Sequence, residues 1–201
     1  MSATIDQTAP TAAPVATTTP PLQAATEKNL HEDVVSPHET HSDSNPTRVI
    51  AIAVDASKYS EYAFDWAINN LVRAETDQLV ILNVRPTATL PAVYGALYVD
   101  FSKEFEKIEA ANKKESHDLL RAYANKLPHH KYNVRGVALR GDPRDEIAYK
   151  VEDVHADMLV VGSRGLGAFK KTFLGSVSDY LVHHLKVPVI VPRPSELEKA
   201  V

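Results

Sequence analysis

Between residues 48 and 193, five short β-prone runs alternate with four helical patterns, and that order restricts the chain more than any other feature. Residues 48–54 (RVIAIAV) and 78–84 (QLVILNV) are nearly continuous apolar runs, as expected of strands covered on both faces. Residues 132–139 make a third, partly alternating run, 157–161 a fourth and 188–191 a fifth. Helical patterns fill 59–72, 101–127, 143–154 and 175–185. The first places Tyr62, Trp66 and Asn69, with Ala63 and Ala67, at three- and four-residue spacings, and the second carries a stripe of Phe101, Phe105, Ile108, Leu119, Leu120 and Tyr123. Asp55-Ala-Ser57 offers a turn and an N-cap. Pro128 stops the second helix, and Gly141-Asp142-Pro143 is a turn whose proline opens the third. The order β-α-β-α-β-α-β-α-β predicts an α/β fold, an open five-stranded parallel sheet with helices on both faces in the Rossmann-like manner. In such sheets ligands sit beyond the carboxyl ends of the strands, at a topological switch point. Those ends carry Asp55, Val84, Gly141 and Gly162.

The segment before this domain has a different character. Residues 1–47 are rich in Ala, Thr, Pro, Ser and acids, and their apolar residues have no period. Such a segment buries too little surface to offset chain entropy, so a disordered tail is expected over 1–47, a folded domain over 48–193 and a short C-terminal tail over 194–201. Thr19-Pro20 and Ser36-Pro37 are dipeptides that either receive proline-directed phosphorylation or simply reflect a solvated Thr/Pro-rich linker. The tail holds six acids against one base, so most of the net charge of -4 belongs to it and the domain is nearly neutral. That balance does not resemble a basic nucleic-acid footprint. The chain has no cysteine, hence neither disulfides nor thiolate metal sites, and no run of about 18 apolar residues for a membrane span. The N-terminus lacks the charged and apolar regions of a secretory signal, which leads to the expectation of a soluble cytoplasmic protein.

Four of the seven glycines fall between the fourth strand and the last helix, as Gly162, Gly165, Gly167 and Gly175. Backbone without side chains, leading into a helix N-terminus, suits a phosphate, because exposed N–H groups and the helix dipole both favour an anion. The spacing G-x2-G-x9-G-S resembles the universal stress protein family. The likeness extends to Val54-Asp55-Ala56-Ser57, Asn83-Val84, Gly141-Asp142-Pro143, Gly175-Ser176-Val177-Ser178 and the final run Val187-Pro-Val-Ile-Val191, so it covers about residues 48–193.

The resemblance implies an ATP-binding module that regulates a stress response, with ATP as ligand and any Mg²⁺ resting on its phosphates plus one or two protein oxygens. It implies that Ala53, Val54, Asp55 and Val84 wall the adenine end, Asp55 accepting from the amino group and Val84 reading the base edge with its backbone. It assigns the ribose and phosphates to Gly162, Ser163, Arg164, Gly165, Gly175, Ser176, Val177 and Ser178. It also implies a homodimer through the final strand, whose apolar edge would otherwise be exposed. The downstream protein partner is left unknown.

Other roles stand beside these. Asp55 is equally a cap for the first helix, Ser176 an N-cap for the last, and the glycines turn formers. Lys170 and Lys171 either reach a γ-phosphate or lie in a solvated loop, and Arg164 points inward or to solvent. His183 and His184 are adjacent on a helix, about 100° apart, so they do not share a metal readily. They and His129-His130 read as surface histidines, and His31, His38 and His41 lack a defined ligand spacing. No G-x-S-x-G elbow and no G-x4-G-K-[ST] loop occurs. With no catalytic base evident, slow hydrolysis is the most expected of the site. A weak ATP hydrolase or adenine-nucleotide transferase, and a non-nucleotide interaction scaffold, remain the alternatives.

Overall fold

A computed structural model describes residues 32–35, 46–89, 101–128, 131–166 and 174–194. Contacts separate residues 1–30 from residues 31–201, and every described residue lies in the second unit. Its elements are β1 (Glu32–Val35), β2 (Arg48–Ala53), α1 (Lys58–Asn70), β3 (Asp77–Arg85), α2 (Ser102–Asn125), β4 (Asn133–Arg140), α3 (Pro143–Asp153), β5 (Met158–Val161), α4 (Ser176–His184) and β6 (Val189–Ile190). The predicted alternation is present, with no boundary shifted by more than two residues.

The sheet runs β1-β4-β3-β2-β5-β6. Strands β2 to β6 are parallel, as the alternation requires. The expectation of five strands is exceeded by one. β1, from within the segment read as a disordered tail, adds antiparallel to the β4 edge with Glu32 opposite Leu139 and Val35 opposite Gly136. Ion pairs hold it from two helices. Glu32 meets Lys150 of α3 at 2.5 Å, and Asp33 meets Lys113 of α2 at 2.8 Å. Residues 1–31 and 36–45 of the tail, with Thr19, His31, Ser36, His38 and His41, lie outside the described residues.

The strand pleat sends alternate residues to opposite faces, and each face has its own core. Ile50, Ile52, Leu79 and Ile81 pack with Phe64 of α1 and Leu120 of α2. Ala51, Ala53, Val80 and Leu82 pack with Ile147 and Val151 of α3 and Leu181 of α4. At about 25 cal/mol per Å² of apolar surface removed from water, each fully buried Val, Leu, Ile or Phe among them contributes about 1.5–3 kcal/mol. α1 starts where Ser57 accepts from Ser60 N–H at 3.1 Å, and α3 where Asp142 accepts from Arg144 N–H at 2.9 Å with Pro143 in its first turn.

Two helical stripes differ from the expected ones. α1 turns Ser60, Ala63, Phe64 and Ala67 inward, while Tyr62 is exposed. α2 buries Ser116, Leu120, Tyr123 and Ala124, and Ile108 is 38 % exposed. Chain order runs outward from β2 through β3 to β4, then returns to β5 on the other side of β2. The switch point therefore falls between the ends of β2 and β5.

Candidate functional site

A cavity of about 790 Å³ opens at that switch point. Ala53, Val54 and Asp55 line it from the end of β2, Val84 from β3, and Val161, Gly162, Arg164 and Gly165 from the end of β5. Gly175, Ser176, Val177 and Ser178 line it from the start of α4. Eleven of the twelve expected site residues thus share one cavity. Ser163 is the exception. It is buried to 1 % exposure beneath the loop, and its carbonyl accepts from Gly175 N–H at 2.8 Å. Its contribution is to tie the two ends of the glycine loop together. Lys170, Lys171 and Gly167 lie outside the described residues, as do Gly95, His129 and His130.

Sequence reading missed Ser60, Pro143, Ile147, Leu166, Leu174 and Asp179, which also line the cavity. Pro143 carried part of the family likeness and Ile147 fell in the predicted third helix, but neither was assigned to the site. Nothing in their types marks them as site residues until the topology brings α3 over the β2–β5 gap.

Asp55 does not cap α1, because Ser57 does. Its carboxylate instead bridges two loops: Oδ1 accepts from Ser57 N–H at 2.9 Å and Oδ2 from Leu166 N–H at 3.3 Å. A side chain on Gly165 would place its Cβ 2.8 Å from Asp55 Oδ2, so that glycine makes room for the bridge. Gly162 has a different duty. A Cβ there would lie 3.0 Å from Tyr59 C and Ser60 N, so its absence lets β5 pass close under the first turn of α1. The Arg164 side chain turns toward α1. Its Nη1 donates to Tyr59 Oη at 2.8 Å, and the guanidinium lies 5.2 Å from the Tyr59 ring centroid.

The α4 N-terminus carries the electrostatic character of the cavity. Gly175 is its N-cap and has no side chain to accept from the first-turn amides. Those amides have no partner within the helix, and the helix dipole concentrates positive potential there. The Ser178 hydroxyl is committed inward, 3.0 Å from the Gly175 carbonyl, whereas Ser176 is exposed at the rim. Asp179 and Asp55 are the carboxylates lining the cavity. At the α3 corner, two hydrogen bonds from the Arg144 side chain and one from its amide lower the Asp142 carboxyl to about 2. His183 and His184 are exposed on α4, each with Nδ1 2.7 Å from the carbonyl one turn back. Among the described residues no helix is long and apolar enough to cross a membrane.

The model of the universal stress protein family matches residues 46–193. The universal stress protein A-like protein of Arabidopsis thaliana is 32% identical over 163 residues, covering 73% of this chain and 90% of that one. Among solved structures, an Arabidopsis thaliana protein of the same family with AMP bound is 27% identical, with a TM-score of 0.54 over 75% of this chain and 94% of that one. The universal stress protein UspA of Lactobacillus plantarum, 20% identical, superposes with a TM-score of 0.57 over 75% of this chain and all (100%) of that one, a likeness of fold.

Proposed function

The chain belongs to the universal stress protein family, and from that premise we propose that it binds ATP in the cavity between β2 and β5 and acts as a nucleotide-dependent regulatory module. The observation that carries this is the convergence of Asp55, Val84, Gly165 and the uncapped α4 N-terminus on one cavity. The AMP-bound relative supports an adenine nucleotide as the ligand class. In this reading Asp55 and the Val84 backbone take the base. The amides of Ser176, Val177 and Ser178, with Gly165 and the Ser176 hydroxyl, take the phosphates.

The donor set fits a Mg²⁺ that arrives with the nucleotide. Among the described residues no cluster of three or more His, Asp or Glu gathers for a metal. Mg²⁺ commonly rests on phosphates, waters and one or two carboxylates, and Asp179 lies at the phosphate end to serve as one. Asp55 is already engaged with two amides, which disfavours it as a general base, so any hydrolysis is expected to be slow. The protein is further proposed to act in the cytoplasm in a stress response, and to pair with a second copy along the short β6 edge.

Calorimetry with ATP and AMP tests the central reading. Micromolar or tighter binding is expected, and a double variant with bulky residues at Gly165 and Gly175 should abolish it. Unchanged affinity in that variant would refute the assignment of the loop. Turnover well above one per minute would favour an enzyme, and no nucleotide binding at all would favour an interaction scaffold.

A further inference from the structure

All four backbone polar groups of Val54 and Asp55 are paired within the protein, and of the three side chains that hold them only Ser60 also lines the cavity. Val54 N–H donates to the Leu82 carbonyl at 2.8 Å, a sheet contact. The other three are held by side chains. Asn83 Nδ2 donates to the Val54 carbonyl at 2.8 Å, Asp55 N–H donates to Ser60 Oγ at 2.9 Å, and Tyr123 Oη donates to the Asp55 carbonyl at 3.0 Å. Ser116 Oγ donates to Asn83 Oδ1 at 2.6 Å, which fixes the amide so that its NH₂ faces Val54. The four residues are between 3 % and 7 % exposed. Two of them, Ser116 and Tyr123, come from α2, a helix that does not line the cavity.

Folding alone does not call for this arrangement. The same α2 face is otherwise apolar, and buried hydroxyls are costly unless every one is paired. Here each polar group converges on the two residues that wall the base end of the cavity. We propose that Asn83, Ser116, Tyr123 and Ser60 are positioning residues for base recognition, locking the Val54–Asp55 backbone so that the Asp55 carboxylate meets a nucleobase amino group in a fixed direction. This rests on the adenine-nucleotide reading above. Losing one lock lets the turn relax, which lowers affinity for the base but leaves the phosphate cradle on α4 untouched. α2 then becomes a route by which events on the far side of the sheet alter base selectivity.

The test uses the full chain and three ligands: ATP, ITP (which lacks the amino group) and inorganic tripolyphosphate. Tyr123→Phe and Ser116→Ala each remove one hydroxyl with little change of volume. Each should weaken ATP about tenfold, the size of one lost hydrogen bond. ITP and tripolyphosphate should change less than about twofold, so the ATP-to-ITP preference collapses. Leu120→Val, a core change in the same helix, should lower the melting temperature yet keep that preference. Parallel loss of ATP and tripolyphosphate, or an unchanged ATP-to-ITP ratio, would reduce the network to core filling and overturn the positioning role. A wild-type chain that binds neither nucleotide overturns the reading of the site itself, and the positioning role with it.

Discussion

Gly162 and Gly165 stand three positions apart in the same motif, yet they should fail in opposite ways when replaced by alanine. In Gly162→Ala the new Cβ meets main-chain atoms of Tyr59 and Ser60 at 3.0–3.1 Å. Helix backbone cannot step aside as a side chain can, so β5 and α1 must separate. Overpacking of this kind costs about 1–3 kcal/mol, or roughly 2–12 °C in melting temperature for a chain of this size. In Gly165→Ala the nearest atom is Asp55 Oδ2 at 2.8 Å, the tip of a side chain that can rotate. Stability should fall by no more than the bond to Leu166 N–H, about 1 kcal/mol. The displaced carboxylate would, however, no longer present itself to a base, so ATP affinity should drop about tenfold or more. Urea unfolding and calorimetry on both variants separate the effects. Equal destabilisation of the two, or a Gly165→Ala protein that binds ATP as wild type does, would refute the reasoning.

Two further outcomes are expected. Lys150 is 3 % exposed and pairs with Glu32 and Asp153, whose side chains are 19% and 43% exposed; Glu32→Gln should cost about 1–2 kcal/mol and Asp153→Asn less than 1, read as midpoints of urea unfolding. Burial opposes ionisation of Asp77, but hydrogen bonds from Arg48, the Arg73 amide and Thr76 outweigh it and hold the carboxyl below its usual range. Its folded-state value is depressed, so the stability it adds is present above about pH 4 and is lost as pH falls through the folded value. Asp77→Asn should therefore cost about 3 kcal/mol at neutral pH, with the difference from wild type shrinking toward pH 2 in unfolding curves; a constant difference would show that charge is not involved.

Much of this molecule can be read from residue patterns, because the patterns record local requirements. Apolar runs at 48–54 and 78–84 mark strands buried on both faces, and Asp142-Pro143 marks a helix start, whatever surrounds them. The glycine spacing was informative for the same reason, since Gly162 and Gly165 each answer a close approach. What escaped notice depends on distant partners. Glu32–Val35 has two acids, two valines and no period. It is a strand because β4 offers an open edge and Lys150, Lys113 and Arg85 offer cations. On α1 the expected Ala63 and Ala67 are buried, but Tyr62 and Asn69 are exposed and Ser60 and Phe64 complete the inward face. Ser60 is there because the first turn of α1 passes close to Gly162. Ser163 belongs to the motif by position, but past the end of β5 it is buried, with its carbonyl tied to Gly175 N–H.

β1 also bears on how the protein should be handled. The family match begins at residue 46, which makes that residue a natural place to cut. A fragment trimmed there would leave the main-chain groups of β4 unpaired along one side and strip Lys150 of its Glu32 partner. An open edge of that kind recruits other strands. The trimmed protein would then be expected to self-associate through β4, and an oligomeric state measured on it would describe the cut rather than test the β6 pairing proposed for the whole chain.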